Sequence, residues 1–108
     1  MKVVAIVVTY GNRQHLVRQV IDRLLEMPIS RIYLIDNDST TKYESTEKVA
    51  VIRISENYGS AGGYKTGLHW VNRTNADLIW LLDDDNVPDK DALDILLSYY
   101  ESFTVKGF

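Results

Sequence analysis

Three aspartates in succession, Asp83-Asp84-Asp85, close the apolar run Leu78-Ile79-Trp80-Leu81-Leu82. Carboxylates packed side by side repel one another, and part-buried charge must be compensated. A cation relieves both problems. If strand geometry persists to the end of the run, Asp83 and Asp85 point to one side and Asp84 to the other. Two carboxylates on one side suit a hard divalent ion, magnesium or manganese, with waters and phosphate oxygens filling the remaining positions. Asp84 is then left for hydrogen bonding, for example to a sugar hydroxyl. A solvated acidic turn capping the following helix accounts for the same residues. A calcium loop counted from Asp83 fails, because Pro88 stands where that loop demands glycine.

Asn57-Tyr58-Gly59-Ser60-Ala61-Gly62-Gly63 sets three glycines ahead of a helical pattern, where backbone can approach a phosphate or sugar closely and free amides point outward. A tight strand-to-helix turn explains the segment as well. Gly59 followed by Lys65-Thr66 nearly matches the nucleoside-triphosphate loop, but Tyr64 occupies its second required glycine. Asp36 ends another apolar run and could accept a hydrogen bond from a base N–H, while Thr9 and Tyr10 offer backbone groups and an aromatic face. Turn formation accounts equally well for Asn37 to Ser39. His15 and His69 read as helix residues without ligand spacing.

The elements that must position these residues alternate. Val3 to Val8 reads as a strand buried on both faces, and Asn12 as the cap of a helix with Leu16, Val17, Val20, Ile21, Leu24 and Leu25 at helical spacing. Ile32 to Ile35 is a second strand, Thr40 to Lys48 a polar, mobile loop, and Val49 to Ile54 a third strand. Asn57 to Gly63 is a loop and Tyr64 to Arg73 a helix; Leu78 to Leu82 is the fourth strand. A last helix has Pro88 in its first turn, Asp89 and Asp91 near its positive end, and an apolar face of Leu93, Leu96, Leu97, Tyr100 and Phe103, closed by Gly107. This pattern predicts an α/β fold, a Rossmann-like, mostly parallel sheet flanked by helices, with the polar clusters of four strands meeting at one rim.

The chain has 108 residues, 45% of them hydrophobic and 25% charged, which suits one folded domain or part of one. Its formal net charge of -3 and lack of basic runs give no attraction for nucleic acid or anionic membranes. Without cysteine there is no disulfide, thiolate zinc site or cysteine nucleophile. No apolar run approaches the roughly 20 residues of a membrane span. A cytoplasmic location is expected.

Four segments in order carry a resemblance: Val7-Val8-Thr9-Tyr10-Gly11-Asn12-Arg13, Leu34-Ile35-Asp36-Asn37-Asp38-Ser39-Thr40, the glycine-rich segment 57–63, and Trp80-Leu81-Leu82-Asp83-Asp84-Asp85-Asn86-Val87-Pro88. Together they resemble the family 2 glycosyltransferases, and most closely their bacterial galactofuranosyl- and rhamnosyl-transferase-like branch. The resemblance implies the N-terminal half of a GT-A fold, a UDP- or dTDP-linked nucleoside-diphosphate sugar as donor, and a divalent cation, manganese or magnesium. It implies that Thr9, Tyr10 and Asp36 hold the nucleoside, that Asp84 lies near the ribose or donor sugar, and that Asp83 and Asp85 lie near the metal and diphosphate. Asn57, Gly59, Gly62 and Gly63 would border the donor pocket. Gly11 departs from the polar residue often found after the family's tyrosine, and little consequence is expected. By the same resemblance, residues 1–108 form the donor-binding part of an inverting enzyme of cell-wall polysaccharide or glycoconjugate synthesis. The general base and the site for a glycan or glycolipid acceptor are expected downstream, the parent lying peripherally at the inner face of the membrane. Surfaces exposed without that second half could support an oligomer. A non-catalytic nucleotide-sugar-binding module is the alternative.

Overall fold

The run Val3 to Val8 is buried at every residue, none more than 5% exposed, as a strand covered on both faces must be. The computed structural model describes residues 1–40, 42–54, 59–72 and 74–105, without the side chains of residues 60 and 101–105. The elements follow in the order β1 (Val3–Tyr10), α1 (Gln14–Leu25), β2 (Arg31–Asn37), β3 (Val49–Ile54), α2 (Gly59–Val71), β4 (Leu78–Asp83) and α3 (Ala92–Val105). The four strands form one sheet in the order β3-β2-β1-β4, and every pairing is parallel.

Alternation along β1 divides the core in two. Val3, Ala5 and Val7 face a cluster completed by Val17, Val20 and Leu24 of α1 and Leu93 of α3. Val4, Ile6 and Val8 face the other way, with Tyr33, Ile35 and Val71 of α2. Helices therefore cover both faces of the sheet, the α/β arrangement that the alternating pattern predicts.

The structure corrects four expectations. Asn12 does not cap α1: Gly11 turns the chain out of β1 at φ 58°, Asn12 is exposed, and Arg13 takes the cap position. The Gly11 carbonyl accepts the Thr40 amide at 3.0 Å, so this glycine joins two strand-end loops. Second, α2 begins at Gly59 rather than Tyr64, so most of the glycine-rich segment is helix. The reason is packing: a Cβ on Gly63 would sit 2.5 Å from Val8 Cγ1, and one on Gly67 2.6 Å from Ile6 Cγ2. Low helix propensity is outweighed by the close approach of backbone to sheet.

Third, α3 starts at Ala92, leaving Pro88, Asp89 and Asp91 ahead of it. The Pro88 carbonyl accepts a 2.6 Å hydrogen bond from Arg23 Nη1, which holds that lead-in against α1. On its expected apolar face Leu93 is buried, whereas Leu96 and Tyr100 are 40% and 39% exposed. Gly107 and the side chain of Phe103 lie outside the described residues.

Fourth, the polar connection between β2 and β3 is tied down. Val49 N donates to Thr46 Oγ1 at 3.1 Å and Val51 N to Ser45 Oγ at 2.9 Å. The Tyr43 ring packs on the α1-side core, where a crossover helix would otherwise stand. At the sheet's edge, Ile79 and Leu81 of β4 are exposed.

The glycine contacts make a prediction. Gly63→Ala and Gly67→Ala each force α2 off the sheet and should destabilise by about 1–3 kcal/mol, as overpacking does. Thermal unfolding followed by circular dichroism should show Tm lowered by roughly 5–20 °C. An unchanged Tm in both variants would mean that the helix lifts without cost.

Candidate functional site at the carboxyl ends of the strands

Parallel register sets the site's geometry. Thr9 lies opposite Asp36, Val8 opposite Asp83, and Asp36 opposite Arg53. The chain steps from β1 to β2 and β3, then returns to lay β4 on the other side of β1. In open α/β sheets that reversal opens the crevice where ligands bind.

Asp84 follows β4 into this crevice and is 4% exposed. A carboxylate so buried needs donors, and three reach it. Thr9 Oγ1 donates to Oδ2 at 3.0 Å, Arg13 Nε to Oδ2 at 2.8 Å, and Arg13 Nη2 to Oδ1 at 2.9 Å. The arginine fork fits the carboxylate bidentately, which fixes orientation as well as charge. Arg13 Nη2 also lies 3.3 Å from Asp85 Oδ2, and the guanidinium sits 4.9 Å from the centre of the Tyr10 ring. Hydrogen bonding to Asp84 is the largest cause raising the Arg13 pKa above its ordinary value, opposed by burial and aided by neighbouring negative groups.

Burial alternates along the aspartates as strand geometry predicts: Asp83 and Asp85 are exposed and Asp84 is buried, although β4 ends at Asp83. The Tyr64 hydroxyl lies 2.7 Å from the Leu82 carbonyl oxygen and 3.1 Å from Asp83 Oδ1. Burial first, then the hydrogen bond to Asp83 and the charges of all three aspartates, pushes this phenol well above its usual range. Among the described residues, no group of three or more His, Cys, Asp or Glu side chains converges as a metal site. Asp83 and Asp85 offer two exposed carboxylates, a donor set that fits a hard oxygen-seeking ion retaining several waters. Asp84 is already matched by Arg13.

Across β1, Asp36 is 1% exposed. Its Oδ1 accepts from Ser39 N at 2.9 Å and from Ser39 Oγ, and its Oδ2 accepts from Arg53 Nη1 at 2.6 Å. Arg53 Nη2 donates to the Ser39 carbonyl at 2.8 Å, closing a ring of contacts around the turn. Asp38 takes φ 56°, a left-handed conformation that aspartate tolerates better than most residues. Asp36 thus helps build the turn that ends β2, in keeping with the turn-forming residues Asn37 to Ser39 that follow it. Asn37 Nδ2 donates to the Gly59 carbonyl at 2.9 Å and joins this turn to the start of α2. Among the described residues the buried Tyr43 hydroxyl makes no hydrogen bond of good geometry, although it faces Thr9. Burial raises its pKa most; Thr9 opposes this, and the charges of Asp36 and Asp84 add to it.

Thr9, Asp36 and Asp84 therefore meet at one sheet edge, with Tyr10 at its 40% exposed rim. Gly59 opens α2 at φ 78°, Gly62 is half-buried in its first turn, and Gly63 lies against Val8. Asn57 lies outside the described residues. Arg13, Arg53, Ser39, Asn37 and Tyr64 were missed as site residues. The signal for Arg13 was the demand of three aspartates for positive charge, met in part by the chain itself.

Two predictions test this wiring. Arg13→Gln and Asp84→Asn should each lower the urea midpoint, while the double variant should recover more than half of the loss seen in Arg13→Gln. Additive losses would show that the pair does not couple. For Tyr64, a folded pKa above the unfolded value of about 10 means that its stabilisation is full below that pH. The stabilisation is lost as pH rises from there toward the folded value, because the unfolded chain releases the proton first. Urea midpoints should fall above about pH 10, and Tyr64→Phe should flatten that fall. An identical slope would assign the alkaline loss to other groups.

Comparison with known proteins bears on the family and the fold. The family model described as glycosyl transferase family 2 matches residues 5–106. No curated protein matches significantly. Among solved structures, that of TarS 1-349 from S. aureus superposes with a TM-score of 0.71 at 19% identity, over 94% of this chain and 33% of that one. The structures of the same protein in complex with UDP-GlcNAc and with UDP each give a TM-score of 0.74 at 18% identity, over 94% and 32%. At that identity the likeness speaks for the fold, and the chain spans about a third of the length of these structures. The match over nearly every residue places the chain in glycosyl transferase family 2.

Proposed function

We propose that this chain binds a nucleoside-diphosphate sugar at the carboxyl ends of its strands, as the donor side of a sugar transfer to an acceptor hydroxyl. The observation that carries the reading is the meeting of Thr9, Arg13 and Asp84 at the reversal between β1 and β4, beside the Asp36 turn. The UDP and UDP-GlcNAc complexes of the structurally similar TarS support a uridine-linked donor, and a thymidine-linked one rests on the family resemblance alone. In this reading the exposed Tyr10 ring lies along the base, Asp36 accepts its N–H through Oδ2, and Asp84, fixed by Arg13, accepts from a ribose or sugar hydroxyl.

Asp83 and Asp85 would hold a divalent ion, manganese or magnesium, whose charge neutralises the departing diphosphate. The amino-terminal turn of α2 borders the same pocket, its backbone dipoles favouring the negative diphosphate. Transfer proceeds with inversion: the acceptor oxygen attacks the anomeric carbon opposite the leaving diphosphate, and a general base outside these residues takes the hydroxyl proton. The whole enzyme acts in the cytoplasm, at the inner face of the membrane, in cell-wall polysaccharide or glycoconjugate synthesis.

Calorimetry with UDP and dTDP, with and without manganese, tests the donor site. Micromolar binding that strengthens with metal is expected, and Asp83→Asn or Asp85→Asn should weaken the metal-assisted part by about 10-fold or more. Binding without donor hydrolysis or transfer would favour the alternative of a non-catalytic module. A folded chain that binds neither nucleotide would overturn the proposal.

A further inference from the structure

Arg53 is the one cation against the buried Asp36 carboxylate in the contacts of the described residues, and its own exposure is very different: 39% of the side chain against 1% for the aspartate. A ligand at this rim therefore meets the arginine before the carboxylate. Of the five N–H donors on a guanidinium, two are used internally, one on Asp36 Oδ2 at 2.6 Å and one on the Ser39 carbonyl at 2.8 Å. Nη2 also lies 3.9 Å from Asp38 Oδ1, and the exposed side chain leaves further N–H groups for a ligand at the rim. On the aspartate, Oδ1 is filled by two hydrogen bonds from Ser39, whereas Oδ2 receives only the arginine and keeps one lone pair.

Oδ2 and Nη1 thus set an acceptor and a donor side by side at 2.6 Å. We propose that Arg53 is a specificity-determining residue for the nucleobase, donating to a ring carbonyl while Asp36 accepts from the adjoining N–H. The inference rests on the nucleoside-diphosphate reading above and deepens it. An N–H and a neighbouring carbonyl oxygen of one ring are about 2.3 Å apart by amide bond lengths, which matches the spacing of the pair. Among pyrimidines, uracil and thymine carry that edge. Cytosine reverses both positions, with an acceptor nitrogen against the carboxylate and an amino donor against the guanidinium. Each reversed contact leaves a polar group unpaired, which is how a hydrogen-bonding site rejects a near-isostere.

A structural counter-charge would explain the ion pair equally well, so the test must separate the two roles. Calorimetry on the wild-type chain, Arg53→Met and Arg53→Lys would use UDP, dTDP and CDP, with thermal melts as the folding control. The wild-type chain should prefer UDP and dTDP over CDP by about 100-fold or more. Arg53→Met should weaken UDP by about 10-fold while leaving CDP unchanged, so the ratio narrows. Arg53→Lys keeps the charge beside Asp36 but loses the planar fork, and should fall between the two. If Arg53→Met does not fold, the ratio in Arg53→Lys decides. An unchanged UDP-to-CDP ratio in the variants reduces Arg53 to a counter-charge and overturns the proposal. Equal binding of UDP and CDP by the wild-type chain overturns the base-edge reading and leaves the nucleotide site standing. Binding of no nucleotide overturns both.

Discussion

The Asp84 carboxylate sits at the centre of the strand-end rim with almost no access to water, and it is tolerated there because Arg13 grips both of its oxygens. Removing either partner leaves the other uncompensated. The pair also fixes position. Arg13 belongs to the turn after β1 and Asp84 to the turn after β4, so the same contact that neutralises the carboxylate also clamps the two sides of the crevice. Thr9 adds a third bond from the strand itself. The demand for positive charge written into three consecutive aspartates is met in part by Arg13, which reaches both Asp84 and Asp85.

A second buried carboxylate repeats the solution on the other side of β1. Asp36 is held by Arg53 and Ser39 much as Asp84 is held by Arg13 and Thr9: one arginine and one hydroxyl residue each. Hydroxyl groups supply directed donors without adding charge, and arginine supplies charge with fixed geometry. Tyr43 approaches from the connection between β2 and β3, its hydroxyl buried near both carboxylates. The rim is therefore a polar layer over an apolar sheet, assembled from parts of the chain far apart in sequence.

Much of this was legible from residue types. Continuous β-branched runs give buried strands, and alternation of strand and helix gives the parallel sheet, because both follow from local pattern. The convergence of Thr9, Asp36 and Asp84 followed from the rule that such sheets bind ligands at the carboxyl ends of their strands. What was hidden depends on partners distant in sequence. Arg13 looks like the ending of a motif until Asp84 arrives beside it, and Arg53 looks like a surface residue of a strand until register sets it across from Asp36. The glycine-rich segment misled because Gly63 matters through its contact with Val8, as Gly67 one turn on does with Ile6, and propensity carries no information about close packing. Tyr43 was hidden for the same reason, in a stretch whose polarity suggested a loose loop.

The position of β4 bears on how the protein acquires its fold. It pairs with β1 across most of the chain, with Lys2 N bonded to Asp77 at one end and Thr9 to Asp84 at the other, each spanning 75 positions. Contacts of that separation require closing a long loop before they return any stability, which makes them slow to form. The crevice between β1 and β4 does not exist until that closure is complete. Any ligand of the crevice therefore recognises only the finished sheet, and by mass action it stabilises that sheet over the open chain.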